Sequence, residues 1–568
     1  MELLRVNLDS KEMTRESLPY HDKLLGGRRL GAQILYDEVN PNTDPLHGDN
    51  KLIMTGGIFA GTKLSSSGRF SVGAKSPLTG GAKESNSGGN SAHRLARLGY
   101  RALIIEGKLA RPAGGNTGVL VIRGNDTKII FHEALARRGN TDTAAYLQKQ
   151  YPGSGFITIG PAGESMMLSA CISNTDNQGR PVRMNGRGGL GAVMGAKGLK
   201  AIVLDDSTST APKSSKQDFF NELASDFARI IAKNEMTSNY RKYGTAARVR
   251  VVNCLGALPT YNFRRGSFEE FNSISGSALY ETITERGGVG TPSHSCMESC
   301  VIRCSNIYPD EAGEFLVSPL EYETIGLIGS NLGISSLDDI AYINSRCNDL
   351  GVDTTEFGSA MGVAMDEGLF NFGDVHSVLN VLKEIEGETL RARLIASGCS
   401  ILGKALAAPR VPAVKGQGMP AYDPRAIKGI GVTYATSPMG ADHSAGNTVR
   451  APLEHNKKEG QVEASKNLQS FVAAMDSLGL CLFLAPSIKK RKHLLVDLIK
   501  ARLGINFKDS DLIELGRETL RLERAFNQEA GFTHAHDDLP EFFQKEENPD
   551  SGSIFDISRK EMQQAKDD

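Results

Sequence analysis

"LKAIVLDDSTSTAPKSSKQDFFNELASDFARIIAKN", residues 199–234, holds the transition on which the fold turns. It opens on a short apolar run of strand type, crosses a serine, threonine and proline spacer at 207–215, and continues with apolar residues at three- and four-residue spacing. Upstream, strand-type runs recur in "RALIIEG", "GVLVIRG" and "GFITIG", separated by glycine, serine and proline turns. Downstream, helical periodicity prevails, as in "NLQSFVAAMDSLGL". The expectation is an α+β protein, with a β-rich domain over 1–207 followed by two mainly α-helical domains, 208–410 and 411–568. The second division lies at "AAPRVPAVKGQGMPAYDP", where prolines and glycines break the helical pattern. The charged tail after Pro549 reads as a solvated terminal helix or a partly disordered end.

Composition narrows the function. The chain has 65 Lys and Arg against 66 Asp and Glu, so no bulk charge favours nucleic acid or a membrane surface. Its 62 glycines point to many close backbone approaches, as in a ligand-rich enzyme. No apolar run reaches the length of about 18 residues that a membrane span needs, so no membrane insertion and a cytoplasmic location are expected. Arg28 and Arg29 imitate a twin-arginine signal, but Gln33, Asp37 and Glu38 break the apolar segment such a signal requires.

Eight cysteines are present, and three of them, Cys296, Cys300 and Cys304, crowd into "SHSCMESCVIRC" while the rest are scattered singly. That distribution speaks against a disulfide framework and for metal binding or catalysis. Three thiols from one strip, entered through the loop-like "GGVGTPSHSC", suit an iron-sulfur cube better than zinc, which draws paired cysteines from two knuckles. Reactive thiols without metal remain the simpler alternative. A cube wants a fourth thiolate; Cys481, directly after "DSLGL", is well placed, whereas Cys347 falls on the stripe Ile340, Ile343, Cys347, Leu350 and reads as core.

An internal echo links two distant places. "NDLGVD" (348–353) and "DSLGLC" (476–481) each end an amphipathic stretch, with Gly351 and Gly479 where a left-handed helix stop is expected, and Ser336 with Asp339 resembles a cap starting the first helix. Asp349 and Asp476 near those ends oppose the helix dipole, which suggests a binding duty. The stretch 186–206 contains a literal G-x-G-x-x-G, but the preceding "NQGRPVRMN" is too polar for the strand a dinucleotide site requires. Arg183 and Arg187 beside it, and Arg69, Lys75 and Asn86 in 65–90, suit anion binding in glycine-rich backbone; a set of β-turns is the alternative. Glu321 and Glu323 open an otherwise apolar segment, where burial would raise a carboxyl pKa, and His443 lies in a loop of small residues.

Taken in order, "RVNLDS", "DPLHGDNKLI", "KSPLTG", "NSGG", "IGPAGES", "GRGGLGAVMGAKGLKAI", "LEYETIGLIGSNLGI", "NDLGVDT", "AYDPRAIKGIGVTYAT" and "DSLGLCLF" resemble the aldehyde:ferredoxin oxidoreductase family across most of the chain. The resemblance implies a tungsten (or molybdenum) bis-pterin on the β-rich domain, one 4Fe-4S cluster and a magnesium ion. It gives the cluster to Cys296, Cys300, Cys304 and Cys481. Arg69, Asn86, Gly88 and Arg183 go to the pterin phosphates or the magnesium, which the main-chain oxygens of Asn86 and Met184 would reach. Asn348, Asp353, Asp476 and Leu480 go to the pterins, and Glu323 and His443 form the catalytic pair, with Tyr322 close by. The first helical domain thus holds three cluster cysteines and the catalytic Glu, the second the catalytic His and the fourth cysteine.

Three departures accompany the resemblance. The first two cluster cysteines are separated by three residues where the family usually has two. Asn348 stands where an aspartate is common. Tyr342 occupies a position that is an inter-subunit iron ligand in some archaeal members, so any homo- or hetero-oligomer forms without that iron. The implied reaction converts an aldehyde and water to a carboxylic acid, with electrons passing through the cluster to ferredoxin or an iron-sulfur subunit. The rival readings are a related tungsten enzyme acting on an aromatic acyl-CoA, and a cluster-only electron-transfer subunit.

Overall fold

The computed structural model describes residues 1–18, 23–110, 117–124, 126–489 and 491–566. Among them, two six-stranded sheets occupy the N-terminal part. The first runs in the order β2-β1-β6-β3-β4-β5, with β1 (Glu2–Asn7), β2 (Met13–Ser17), β3 (Leu52–Gly56), β4 (Phe70–Lys75), β5 (Ala82–Ser87) and β6 (Tyr100–Glu106). The second runs β11-β10-β9-β12-β7-β8, with β7 (Thr117–Arg123), β8 (Asp126–His132), β9 (Gly155–Thr158), β10 (Ile172–Asn174), β11 (Arg183–Asn185) and β12 (Leu199–Asp205). In each sheet one parallel pair, β1 with β6 and β7 with β12, joins antiparallel neighbours.

The two-residue period of a strand assigns the faces. Leu103 and Ile105 of β6 point into a core shared with Leu120 and Ile122 of β7 and Ile202 and Leu204 of β12, so the sheets pack face to face. The alternate residues Ala102 and Ile104 meet Leu30 and Ile34 of the helix Gly27–Glu38 and Phe526 of the helix Asp509–Glu529. Val119, Val121, Ala201 and Val203 pack under Ala144 and Leu147 of the helix Asn140–Gln150. Both faces of the central strands are therefore covered, which is why "ALII" and "AIVL" read as continuous apolar runs.

Beyond residue 207 helices dominate, as the periodicity predicts. A three-stranded sheet interrupts them: β13 (Thr291–His294), β14 (Ser305–Pro309) and β15 (Phe315–Val317). The sequence reading takes the approach to the cysteines as loop throughout; pairing of Thr291 with Ile307 and His294 with Ser305 makes its last part a strand. One core runs from Ala162 to Ala565 and draws on both helical segments. The C-terminal tail carries the expected terminal helix, but it is packed and not solvated. Phe555, Ile557, Met562 and Ala565 are buried in that core, and Ser558 caps the short helix Arg559–Gln563, because the apolar positions hidden among the charges fall on one side.

The helix Gln461–Leu478 ends beside a cavity lined by Asp476 and Cys481. Its crossing with the helix Asp509–Glu529 is close because Gly516 has no side chain; a Cβ there would lie 1.8 Å from the Ser470 oxygen. No single helix among the described residues is long and apolar enough to cross a membrane.

Candidate active site

The echo in the sequence is the same turn used twice. At the end of the helix Leu337–Leu350, the Val352 N–H donates to Cys347 O (2.8 Å) and that of Gly351 to Asn348 O (3.3 Å), with Gly351 at φ 73°. At the end of Gln461–Leu478, Leu480 donates to Met475 O (2.9 Å) and Gly479 to Asp476 O (3.1 Å), with φ 70° at Gly479. Both are Schellman turns, which satisfy the last carbonyls and need a residue free to take positive φ. They deliver Asn348, Val352 and Asp353 on one side, and Asp476 and Cys481 on the other, to one cavity of about 350 Å³.

Sheet residues form its opposite wall: Arg69, Asn86 and Gly88 from the first sheet and its loops, Arg183 and Met184 from β11. Arg69 holds Asn86 by donating Nε to its side-chain oxygen (2.6 Å) and Nη2 to its carbonyl (2.8 Å), so the carbonyl that the resemblance gives to magnesium here accepts from a guanidinium. Asn86 Nδ2 donates to Asp476 (3.2 Å), which also faces Arg28 at 3.4 Å. Burial, with Glu84 adding to it against Arg28 and Arg69, pushes the Asp476 carboxyl up to about 8. Arg183 donates to Ser305 (2.8 Å), while its buried Nε has no protein partner.

Five sequence expectations change. Asp349 does not reach the cavity; it accepts the Thr141 N–H (2.9 Å) at the start of the helix Asn140–Gln150, so its place at a helix end serves a neighbouring helix. Lys75 donates to the carbonyls of Pro41 and Thr43, and Arg187 is spent on Asp353 and Glu356 (3.3 Å each) and on the carbonyls of Gly418 and Ala441. Leu480 is fully buried in the core and lies outside the cavity wall. A strand, β11, does run into Gly186 despite its polar residues, but it pairs antiparallel with β10 and not as part of a parallel dinucleotide-binding unit.

The four cysteines meet beside this cavity. Cys296, Cys304 and Cys481 line it, and Cys300 is buried against them. In each three-residue spacer the residue just before the next cysteine takes a left-handed conformation, Ser299 at φ 59° and Arg303 at φ 57°. Each such turn folds the strip back, so that the thiols converge. The sheet domain clamps the loop: Gly89 N–H donates to Cys296 O (2.7 Å), Cys481 N–H to Ser66 O (2.9 Å) and Val301 N–H to Ser65 Oγ (3.1 Å). Gly88 must lack a side chain, since a Cβ would meet the Cys296 carbonyl at 2.9 Å. Hydrogen bonding from Cys296, against burial, draws the Cys300 thiol down to about 6, whereas burial pushes Cys481 up to about 11. Among the described residues no group of three His, Cys, Asp or Glu is arranged to hold a single metal ion. Cys347 is fully buried core, as its stripe predicts.

Glu323 and His443 are in contact across the cavity, Oε1 to Nε2 at 3.3 Å. Glu323 Oε2 is anchored by the Ala421 N–H (2.8 Å), which leaves Oε1 as the working oxygen. Tyr322 is buried and its hydroxyl donates to Ala421 O, so it braces the same residue that anchors Glu323. His443 Nδ1 is buried without a hydrogen-bond partner. Asp442 fixes the loop by accepting from Ser444 (3.0 Å) and pairing with Lys83 (2.8 Å); although burial acts to raise it, Lys83, Arg187 and His443 hold its carboxyl below the usual range. Burial raises the Glu321 carboxyl, which also lines the cavity. Sequence reasoning singled out neither Lys83 nor Asp442 nor Tyr422, whose ring lies 6.1 Å from that of His443. Asp442, adjacent to the only histidine of its loop, was the one with a signal.

The donor set fits the groups that the resemblance implies. Four convergent thiols suit a cluster, and the cavity offers guanidinium groups with an unpartnered buried Arg183 Nε to anions and Asp353 and Asp476 to ring donors. Two family models match: "aldehyde ferredoxin oxidoreductase, N-terminal domain" over residues 3–206, and "aldehyde ferredoxin oxidoreductase, domains 2 & 3" over 222–568. The tungsten-containing aldehyde ferredoxin oxidoreductase of Pyrococcus furiosus is 31% identical over 96% of this chain and 92% of its own. That of Thermococcus kodakarensis is 30% identical over 98% and 94%. The WOR-like subunit of an aliphatic sulfonate oxidoreductase from Pyrococcus furiosus is 25% identical over 92% and 84%. Among solved structures, the BamBC active-site complex of benzoyl coenzyme A reductase shares the fold, with a TM-score of 0.82 at 19% identity over 100% of this chain and 93% of that one.

Proposed function

Because the chain belongs to the aldehyde ferredoxin oxidoreductase family and is an oxidoreductase of it, we propose that it converts an aldehyde and water to a carboxylic acid, two protons and two electrons. The observation that carries this reading is the Glu323–His443 contact at 3.3 Å in a cavity whose other wall is built for a large anionic cofactor. Arg69, Asn86, Gly88, Arg183, Asn348, Asp353 and Asp476 would hold a tungsten or molybdenum bis-pterin, and the four cysteines a 4Fe-4S cluster. Magnesium would need Arg69 to release the Asn86 carbonyl or share it. When bound, these groups supply a two-electron centre and a one-electron outlet.

The protein's own residues do the proton work. His443 donates from Nε2 to the aldehyde oxygen, polarising the carbonyl. Glu323, fixed through Oε2, accepts the proton of the attacking water at Oε1. Tyr322 and Tyr422 wall the pair with aromatic rings whose centroids lie 5.1 Å apart, which restricts water to the cavity side. Electrons leave one at a time to ferredoxin or an iron-sulfur subunit.

Glu323→Gln keeps the Ala421 hydrogen bond but cannot accept the proton. Its aldehyde-dependent dye reduction should fall by about 100-fold or more with tungsten and iron content unchanged; wild-type rates would remove Glu323 from the mechanism.

A further inference from the structure

Parts of three segments without a single Asp or Glu, 236–268, 299–309 and 477–489, meet at the cysteine loop, in a chain whose acids and bases otherwise balance. Their meeting is explicit in the contacts. Arg241 Nη2 donates to Val301 O (2.6 Å), a Cβ on Gly244 would lie 3.0 Å from Cys304 O, and the rings of Tyr240 and Phe483 are 4.6 Å apart. The exposed side chains of this face include Lys242, Arg250, Arg303, Lys489 and Arg491. Arg303 and Arg491 donate only to main-chain carbonyls, of Ser293 and Ser487, and Lys242 lies over the rings of Tyr243 and Tyr280. The acid of the cysteine loop, Glu298, is already neutralised by Arg97. Half-buried Val301, Leu482 and Phe483 and exposed Val251 give the face apolar ground between its charges.

We propose that this face docks an acidic protein that carries one electron at a time. The inference rests on the proposed function, which requires an outlet for electrons from the cysteine-bound cluster. Here the loop reaches the surface, with Cys296 half-buried and Ser299 and Arg303 exposed. Uncompensated cations steer an acidic partner to this surface and repel a basic one. Two oxidised carriers accept one electron each for every aldehyde oxidised.

The test titrates the holoenzyme with a purified acidic 4Fe-4S ferredoxin by calorimetry at low and high salt, comparing the wild type with a Lys242→Glu, Lys489→Glu, Arg491→Glu variant. The variant's Kd should rise by about tenfold at low salt and lose most of its salt dependence, while aldehyde-driven reduction of a neutral dye is unchanged. The milder Lys489→Gln, Arg491→Gln variant should weaken binding about threefold, and reads the same face if the charge reversals impair folding. Equal affinities in wild type and variants would overturn the assignment, as would wild-type protein binding anionic phospholipid vesicles as tightly as the carrier. Failure of the wild type to reduce the dye would count against the proposed reaction, while the titration would still judge the face.

Discussion

Single backbone conformations govern the cysteine loop. Ser299 and Arg303 are held at positive φ, which costs an L-residue about 1–2 kcal/mol each. Ser299→Gly removes that strain, whereas Ser299→Val adds a β-branched side chain that the conformation excludes. The valine variant should lose about 1–2 kcal/mol in a denaturant titration and retain less iron per chain, with the glycine variant close to wild type. Equal iron retention in both would mean that the turn does not shape the site. The sequence shows the cysteines and their spacing but not these angles, because Ser and Arg carry no mark of the left-handed region as glycine does. Asp349 illustrates the opposite error: its placement at a helix end was legible, but which neighbour would use it depended on the distant Thr141.

At the scale of elements, capping chemistry was the most legible part of the chain. The glycine stops at Gly351 and Gly479 form the Schellman turns expected of them, and Ser336 accepts the Asp339 N–H (3.2 Å). The strands about the cysteines were missed, because β13 is held by pairing with β14 and its sequence has no alternation of its own. The short helix Ser91–Arg97 depends on a buried histidine in a way that can be measured. His93 Nδ1 accepts the Gly61 N–H (2.9 Å), and Gly68 packs so closely that a Cβ would lie 2.2 Å from Nε2. Burial pushes the His93 pKa down to about 4, from the usual value of about 6.5. Between those values the unfolded chain binds the extra proton, so stability rises with pH in that window and is lost as pH falls from about 6.5 through about 4. The loss between pH 7 and pH 5 should be on the order of 2 kcal/mol from this residue. Urea titrations of the wild type and His93→Gln at the two pH values should show a shallower decline in the variant; identical declines would show that His93 is not the group that titrates.

The whole molecule is built to bring two distant turns and a sheet edge to one cavity. The change of composition at 207–215 separated the sheets from the helices, since both faces of the central strands are covered and their runs stay apolar. The convergence itself was not legible from residue patterns. Asp476 and Asn86 lie 390 positions apart in the chain; the resemblance sends both to one cofactor, and their hydrogen bond is the direct contact that no residue pattern shows. The same holds for the acid-free segments, each unremarked by itself and a basic face once folded. A two-centre enzyme built on this cavity and these four thiols, as proposed, should carry about one tungsten or molybdenum and about four irons per chain. Elemental analysis of anaerobically purified protein, from cells supplied with tungstate and molybdate, measures both. Iron without either heavy metal would contradict the two-centre enzyme and leave an electron carrier; zinc without iron would contradict the reading of the four cysteines.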